Sequence, residues 1–308
     1  MGLSPYDSPF NLYWSKLNDW RWDGNEYTSV GSHLEDAIAD WWMAERDPIE
    51  NLVGCPAGLY AHPDRPWQLA TPDRLLRLND CVGCDGSGAY DSGRLRLECT
   101  DCDGKGGLLA ALLECKWVAQ SWEGWGEEGT DDIPVYYRCQ GLWQADVMGV
   151  DEVHFAVLGP TGFRSYLVHR DEQGEADLVL MRAAALDFVR RLNEQDLPEL
   201  DSHSATTDAL KKLHPDVGSG DVEVPVELAE RYRIARADRK AADERVDQCE
   251  NEIRALLGSD FNRAVVGKKL VASRSIYEQS GDSAELTALE DDWPVVDRLN
   301  PGRADSYA

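Results

Sequence analysis

Apolar residues recur at helical spacing in two parts of the sequence. In residues 28–46 they fall at every third or fourth position, and Thr28 or Ser29 precedes them as a candidate N-cap. Residues 175–195 show the same spacing. We therefore predict an amphipathic helix in each segment, with Glu35 beside the buried stripe of the first helix.

A longer helical pattern lies in the last third of the chain. From Leu228 to Leu256, apolar residues alternate at intervals of four and three and are interrupted only by Arg239. This spacing predicts one long amphipathic helix that ends at Gly258. About three heptads is a marginal length for pairing between chains, so we expect this helix to pack within its own chain.

Other segments have the pattern of strands. Residues 66–78 and 107–119 are short apolar runs, although the Leu and Ala content of the second leaves a helix possible. Residues 151–171 predict two strands joined by Gly-Pro-Thr-Gly, and residues 262–278 predict a second hairpin, rich in Lys and Arg. The order of helices and strands predicts a mixed α/β core.

The composition is that of a globular protein. The chain has 308 residues, of which 43% are hydrophobic and 11 are Trp, enough for a substantial core. No run of about 18 apolar residues occurs, and the first residues lack the pattern of a signal peptide. We expect neither a membrane span nor export, and therefore a cytoplasmic protein.

The net charge of −26, from 57 acidic and 31 basic residues, limits the possible partners. A surface this acidic repels phosphates, which argues against a protein that coats nucleic acid without specificity. A nuclease is compatible with this charge if its basic groups line a channel, or if a divalent metal and the geometry of an oligomer hold the substrate.

Four of the eight cysteines form two close pairs. Cys81 and Cys84 form the first pair, Cys99 and Cys102 form the second, and each pair begins a Cys-x-x-Cys-x-Gly-x-Gly unit. This spacing predicts a structural zinc site with four thiolate ligands. The units resemble one zinc centre of the DnaJ-type cysteine-rich domain, which carries four such units. A zinc-stabilised binding module without catalysis is therefore one possible function.

A second set of residues suits a hard metal ion. Pro72-Asp73 is followed, beyond the cysteines, by Glu114-Cys115-Lys116. Phosphodiester hydrolysis needs carboxylates to hold Mg²⁺ at the phosphate, and a nearby lysine can orient water and neutralise developing charge. On a strand, Glu114 and Lys116 face the same side because successive side chains alternate. The motif is short and by itself occurs often by chance.

Several longer segments make the interpretation more specific. In order along the chain they are GLSPYDSPFNLYWSKL, GSHLEDAIADWW, WQLATPDRLL, ALLECKWV, IPVYYRCQGLWQADVMGVDEVHFAVL and FRSYLVHRDE. In this order they resemble the YqaJ-like viral recombinase family, the lambda-type alkaline exonucleases. The resemblance covers roughly residues 1–195, and residues 205 to about 280 are similar to the C-terminal extension of many phage members. It implies a PD-(D/E)xK, restriction-endonuclease-like core with a central mixed sheet flanked by helices.

The resemblance implies a role for each residue of the acidic motif. Asp73 and Glu114 match the family's metal carboxylates, and the backbone carbonyl of Cys115 matches a third protein ligand. Lys116 matches the catalytic lysine. The metal implied at these residues is Mg²⁺ or Mn²⁺.

Two further residues and one departure follow from the same resemblance. Glu35 matches a helix glutamate beside the metal, and Gln140 matches a glutamine that contacts the end of the substrate. The family usually has an Arg and a Gly-Ser segment upstream of its equivalent of GLSPY, where this sequence begins. We expect either an upstream extension of the coding sequence or an altered recognition of the terminal phosphate.

The implied function is that of a phage or prophage exonuclease. It would hydrolyse duplex DNA ends, with 5′ to 3′ polarity, for single-strand-annealing recombination with a recombinase partner, and would assemble as a ring-like homo-oligomer in the host cytoplasm. An alternative is a related nuclease of the CRISPR-adaptation type that holds an iron–sulfur cluster. Its ligand cysteines flank the catalytic core far apart in sequence, whereas the four cysteines here are contiguous, which favours zinc.

We expect the chain to contain two domains. Residues 1–200 would form the nuclease core, and residues 201–308 a C-terminal extension with the long helix and the hairpin. In the implied fold the Asp and the Glu-x-Lys lie on neighbouring strands, so residues 80–106 are expected to form a zinc knob in the turn between them. A zinc site made of two cysteine pairs brings the ends of such an insertion close together.

Overall fold

The computed structural model describes residues 2–45, 52–56, 58–78, 81, 83–91, 95–102, 104, 106–216, 218–278 and 295–301. Its helices are α1 (Pro9–Asn18), α2 (Glu26–Glu45), α3 (Val135–Met148), α4 (Glu172–Glu194), α5 (Ser204–Leu213) and α6 (Val226–Leu257). Its strands are β1 (Leu52–Pro56), β2 (Tyr60–Ala61), β3 (Leu69–Ala70), β4 (Arg74–Leu78), β5 (Ala89–Asp91), β6 (Arg96–Glu98), β7 (Leu109–Trp117), β8 (Glu152–Gly159), β9 (Gly162–His169), β10 (Arg263–Val266), β11 (Lys269–Glu278) and β12 (Val295–Pro301).

The chain divides into two compact units, Met1–Val217 and Gly218–Ala308. The first unit extends past the boundary predicted at residue 200, because α5 packs against α1. Thr206 of α5 donates a hydrogen bond from its hydroxyl to Ser8 Oγ at 2.7 Å, and both side chains are buried.

A five-stranded mixed sheet forms the centre of the first unit, in the order β1-β4-β7-β8-β9. β7 runs parallel to β8, and the other neighbouring pairs are antiparallel. The predicted mixed α/β core is therefore confirmed, and residues 107–119 contain a strand rather than a helix. The predicted hairpin in residues 151–171 is formed by β8 and β9.

Helices cover both faces of this sheet. On one face, Ile38 and Trp42 of α2 pack against Ala111 and Leu113 of β7. On the other face, Leu112 belongs to a larger cluster with residues of α3 and α4. Because side chains of β7 alternate between the faces, Glu114 and Lys116 lie on the side of α3, and Cys115 lies on the side of α2.

The start of α2 differs from the sequence prediction. The helix begins at Glu26, and Asn25 Oδ1 accepts a hydrogen bond from the Thr28 N–H at 3.0 Å. The Thr28 hydroxyl in turn accepts from the Asn25 N–H at 2.9 Å. This reciprocal pair makes Asn25, and neither Thr28 nor Ser29, the capping residue.

The second unit contains the predicted long helix and hairpin. α6 spans 32 residues, and β10 pairs antiparallel with β11. β12, which the sequence pattern does not predict, adds a third strand beside β11. The C-terminal end of α6 packs on this hairpin, where Ile253 and Leu257 lie in one apolar cluster with Ala264 and Ala272. None of the described helices has the length and apolar character required to cross a membrane.

A single buried carboxylate joins four segments of the first unit. Asp146 of α3 is 2% exposed. Its Oδ2 accepts hydrogen bonds from Arg65 Nη2 at 2.8 Å, Gln68 Nε2 at 2.7 Å and Arg182 Nε at 2.8 Å, and Arg170 lies 3.2 Å from Oδ1. Burial raises the pKa of a carboxyl group, but the hydrogen bonds from Arg182, Gln68 and Arg65 outweigh it and lower the pKa of Asp146 to about 2.

Replacing Asp146 tests this network. We expect Asp146→Asn to lower the free energy of unfolding at neutral pH by about 3–5 kcal/mol, because three arginines lose their shared buried carboxylate. The lowered pKa contributes about 2 kcal/mol of this stability in the wild type. That contribution is fully present above the unfolded-state pKa of 3.8 and is lost as the pH falls from there towards 2.

Denaturant titrations across this acid range measure the effect. Asp187→Asn is the matched control, since Asp187 also accepts hydrogen bonds from two arginines but lies on the exposed surface. We expect a much smaller loss for the control. Equal losses in both variants, or a pH dependence in Asp146→Asn as steep as that of the wild type, would contradict the assignment.

Candidate active site and cysteine cluster

The pairing of β4 with β7 brings the two halves of the acidic motif together. Asp73 directly precedes β4, whose first residue, Arg74, is opposite Leu113 of β7. The Asp73 N–H donates a hydrogen bond to Glu114 Oε1 at 3.2 Å, and the Cys115 N–H donates to Asp73 Oδ2 at 2.8 Å. The short stretch before β4 and the end of β7 are therefore cross-linked through side-chain carboxylates.

Glu114 is the centre of the candidate site. Its side chain is fully buried, and Oε2 accepts hydrogen bonds from Lys116 Nζ and from Gln140 Nε2, both at 2.7 Å. Lys116 Nζ also lies 3.8 Å from Asp73 Oδ2. The structure thus brings together four residues predicted from the sequence, with Gln140 supplied by α3 from outside the sheet.

The charges of this group act on one another. Burial and the neighbouring Glu114 carboxylate raise the pKa of Asp73, and Lys116 opposes this shift. Burial lowers the pKa of a lysine, but the carboxylates of Glu114 and Asp73 outweigh it and raise the pKa of Lys116 above its usual value. Two carboxylates and one ammonium leave an excess of negative charge at a poorly hydrated position.

Glu35 lies beside this group and has a different partner. Glu35 Oε1 accepts a hydrogen bond from Arg74 Nη1 at 2.9 Å, and Arg74 also bonds to Asp36 and to the backbone oxygen of Asp73. The Glu35 side chain is 36% exposed. Arg74 therefore ties α2 to the start of β4 and holds Glu35 near Asp73.

Cys115 contributes through its backbone. In an extended strand the N–H and C=O of one residue point to the same edge, so the Cys115 carbonyl faces the edge on which its amide meets Asp73. The thiol faces α2, and burial raises its pKa. The sulfur packs in the core on the α2 side of the sheet, and the nearby Asp73 carboxylate adds to the rise of its pKa.

The donor set fits a hard divalent cation. Asp73, Glu114 and Glu35 offer carboxylate oxygens, and Cys115 offers a backbone carbonyl oxygen at the same edge of β7. Both are oxygen ligands of the types that Mg²⁺ accepts. A cation between Asp73 and Glu114 would relieve the repulsion that raises the Asp73 pKa. These residues can hold such an ion, which would polarise a phosphate oxygen and activate water.

Some neighbours of the site are not evident from the motif. Arg74 follows the Pro-Asp pair directly, but its partners Glu35 and Asp36 are distant in sequence. The Tyr137 ring lies 5.5 Å from Lys116 Nζ, and Tyr136 packs beside it with ring centroids 4.4 Å apart. The run Val-Tyr-Tyr at the start of α3 is the sequence signal for this pair of aromatic side chains.

The four paired cysteines form a separate cluster between β4 and β7. The sulfurs of Cys81, Cys84, Cys99 and Cys102 all lie within 4.8 Å of one another and could hold a metal ion. Gly88 and Gly106 donate backbone hydrogen bonds to Cys84 Sγ and Cys102 Sγ, each at 3.2 Å. These donors stabilise thiolates, so the environment suits a soft metal.

The glycines of the two units interlock. Gly88 and Gly106 have positive φ angles of 74° and 66°. A Cβ atom on Gly88 would lie 2.5 Å from the Gly104 oxygen, and one on Gly106 would lie 2.3 Å from the Gly86 oxygen. Each unit therefore packs against the backbone of the other, which explains the Gly-x-Gly that follows each cysteine pair.

Outside the cluster, the inserted segment is closed at its base. The Leu78 N–H donates to the Leu108 oxygen at 2.9 Å, and Arg77 Nη1 donates to the Gly107 oxygen at 2.8 Å. The ends of the insertion are thus adjacent, as expected for a knob placed between two paired strands.

A Pro-Asp before one strand and a Glu-x-Lys on its sheet neighbour define the PD-(D/E)xK class. Residues 1–151 match the model of the YqaJ-like viral recombinase domain. This match confirms, over residues 1–151, the resemblance noted in the sequence.

Solved structures that are similar to the chain include two of one alkaline exonuclease. An alkaline exonuclease, LHK-Exo, from Laribacter hongkongensis has 15% identity and a TM-score of 0.40, over 67% of this chain and 84% of that chain. LHK-Exo in complex with dAMP has 13% identity and a TM-score of 0.35, over 67% and 83% respectively. No curated protein matches the sequence.

The interlocked glycines lead to a prediction about the knob. We expect Gly106→Ala to open the cysteine cluster, because the methyl group would meet the backbone of the other unit. The matched control is Gly129→Ala, at a φ of 85° with open space around the added Cβ. Alkylation of Cys81 and Cys99, followed by mass spectrometry, should accelerate in Gly106→Ala alone. Equal rates in the two variants would mean that the contact of Gly106 with the other unit does not hold the cluster closed.

Proposed function

We propose that the chain is a metal-dependent deoxyribonuclease that degrades duplex DNA from its ends. The observation that carries the proposal is the meeting of Asp73, Glu114 and Lys116 at β4 and β7. Glu114 is hydrogen-bonded to the other two residues, and Lys116 Nζ lies 3.8 Å from Asp73 Oδ2. The match of residues 1–151 to the YqaJ-like family supports the same activity.

In this proposal the carboxylates bind the catalytic metal. Asp73, Glu114 and the Cys115 carbonyl would hold Mg²⁺ or Mn²⁺, and Glu35 would approach it from α2. The ion would activate water and stabilise the charge that develops on the phosphate. Arg74 positions Glu35 and Asp73 without contacting the substrate.

Lys116 and Gln140 act beside the metal. Both donate to Glu114 Oε2, so they fix the orientation of that carboxylate. Lys116 would also orient the attacking water and offset developing negative charge. Gln140, at the surface of α3 nearest the sheet, would contact the terminal nucleotide.

The cysteine cluster would bind zinc in a structural role. A site closed by four thiolates has no open position for substrate, so its effect on cleavage is indirect. The contiguous arrangement of the ligands in one knob favours zinc over an iron–sulfur cluster. A zinc-stabilised module without catalysis would leave the buried Glu114 and its donors without a purpose.

The biological role that follows is resection of duplex ends. Digestion of 5′ strands would expose 3′ single strands for an annealing recombinase, which is the proposed partner. The acidic surface suggests few phosphate contacts outside the site. A ring-like homo-oligomer, as the family resemblance implies, would gather the available basic side chains around the duplex.

The nuclease proposal is tested with the full-length chain and linear duplex DNA labelled at either end. We expect nucleotide release that requires Mg²⁺, stops with a chelator and spares circular duplex. Lys116→Ala should reduce cleavage at least about 100-fold while end binding stays near the wild-type level, because the lysine acts on the attacking water. Lys211→Ala, at an exposed lysine of α5, is the matched control and should retain full activity.

Because Lys116 also neutralises Glu114, the variant's fold is checked by circular dichroism. Lys116→Gln provides a second variant that keeps a hydrogen-bond donor for Glu114 without the charge. If either folded variant cleaves at the wild-type rate, the role given to Lys116 is wrong. Equal degradation of circular and linear duplex would contradict an exonuclease.

The zinc assignment has its own test. We expect about one equivalent of zinc per wild-type chain and loss of that zinc in Cys81→Ser/Cys99→Ser, since two ligands are removed. Cys249→Ser, at an exposed thiol of α6, should leave the content unchanged. Elemental analysis showing iron with acid-labile sulfide, or zinc retained by the double variant, would refute the assignment.

A further inference from the structure

α6 carries an apolar stripe that is exposed over most of its length, while Ile253 at its end is partly buried beside Leu257 and Ala272. Its members recur at intervals of four and three residues, with Arg239 within the series, and are Leu228, Tyr232, Ala235, Ala242, Val246, Cys249 and Ile253. Tyr232 is 65% exposed and Val246 is 56% exposed. A regular stripe of this kind on a long helix is the contact seam of a coiled coil.

Charged residues flank the stripe on both sides. In heptad terms the stripe occupies positions a and d, so the flanking positions are e and g. On the e side the charged residues are Arg236, Asp243 and Glu250, and on the g side they are Arg231, Asp238, Arg245 and Glu252. Within the described part of the chain, the ion pairs of α6 join Arg239 to Asp243, Lys240 to Glu244 and Arg254 to Glu250. Most of the flanking charges are therefore available to another helix.

We propose that α6 pairs with α6 of a second copy of this chain in antiparallel orientation. In the register we assign, Ala235 lies opposite Val246 of the second copy, and Tyr232 lies opposite Cys249. Each of these layers combines a larger side chain with a smaller one, which allows close packing. Arg239 lies opposite Ala242, whose methyl group leaves room for the arginine side chain.

The flanking charges select this register. In an antiparallel coiled coil, e positions meet e positions and g positions meet g positions. Arg236 then faces Asp243, Arg231 faces Glu252, and Asp238 faces Arg245, each of the second copy. All three contacts join opposite charges, and the twofold axis repeats each of them.

Other arrangements place like charges together. A parallel pair would set Arg231 against Arg236 and Asp238 against Asp243, and would join opposite charges only between Arg245 and Glu250. Shifting the antiparallel register by one heptad would place Asp243 of one copy opposite Asp243 of the other. It would likewise place Arg245 opposite Arg245. Since charges at e and g positions determine orientation and register, these alternatives are disfavoured.

The proposed contact has a defined extent. It runs from Leu228 to Ile253 and ends where the hairpin of β10 and β11 begins to cover the helix. An isologous contact of this type closes on two copies, so it is separate from the ring contact implied by the family resemblance. This marginal length should give a weak, concentration-dependent association.

Site-specific cross-linking of the full-length chain tests orientation and register together. Under mild oxidation, Tyr232→Cys should form a covalent dimer through Cys249 of the second copy. The two positions are about 25 Å apart on one helix, so this link cannot form within a chain. Wild type and Tyr232→Cys/Cys249→Ser should not form it, and mass spectrometry of the linked peptides identifies the bond.

Charge exchange provides the second measurement. Arg231→Glu should raise the dissociation constant of the α6 contact about tenfold in sedimentation equilibrium, because two attractive contacts become repulsive. Adding Glu252→Arg should restore the association. Arg233→Glu makes the same charge change at position b, away from the seam, and should leave the association unchanged.

Three outcomes would overturn the proposal. A Cys249–Cys249 link in the wild type would mean that the helices pair in parallel. Absence of the Tyr232–Cys249 link at high protein concentration would mean that another part of the same chain, or another protein, covers the stripe. Equal effects of Arg231→Glu and Arg233→Glu would mean that the flanking charges do not contribute.

Discussion

The antiparallel pairing of β4 with β7 is the contact on which the candidate site depends. Arg74 is opposite Leu113, so the residue before β4 and the residue after Leu113 must be neighbours. Those residues are Asp73 and Glu114. A shift of the pairing by one residue would turn Glu114 towards α2 and separate the carboxylates, because side chains alternate along a strand. The two faces of β7 have different packing partners, since Ala111 and Leu113 pack in the cluster of α2 and Leu112 packs in the cluster of α3 and α4, which favours the observed register.

Two buried carboxylates in this unit differ in how completely their surroundings balance the charge. Asp146 is surrounded by arginines, which keep its carboxylate ionised and balance its negative charge. Glu114 has one lysine and one amide as partners and shares its surroundings with a second carboxylate. The first arrangement is electrostatically complete, whereas the second carries surplus negative charge that a cation can neutralise.

The sequence predicts those parts of the fold whose pattern is local and regular. β7, the β8–β9 hairpin, α4 and α6 have clear apolar periodicity, and the Glu-x-Lys spacing on β7 predicts the shared face of Glu114 and Lys116. α3 is harder to predict because its buried residues include Gly141, Gln144 and Asp146, so its polar and apolar positions do not separate. The bond from Arg74 to Glu35 depends on tertiary packing, and no local pattern in the sequence encodes it.

The closed base of the cysteine knob has a consequence for the kinetics of folding. The Leu78–Leu108 hydrogen bond joins β4 to β7 across a long excursion of the chain, and pairing strands over a long loop is slow because the loop must first lose conformational entropy. Binding of one ion by the two cysteine pairs would shorten that loop before the strands meet. The supply of metal during synthesis would then set the rate at which the central sheet forms.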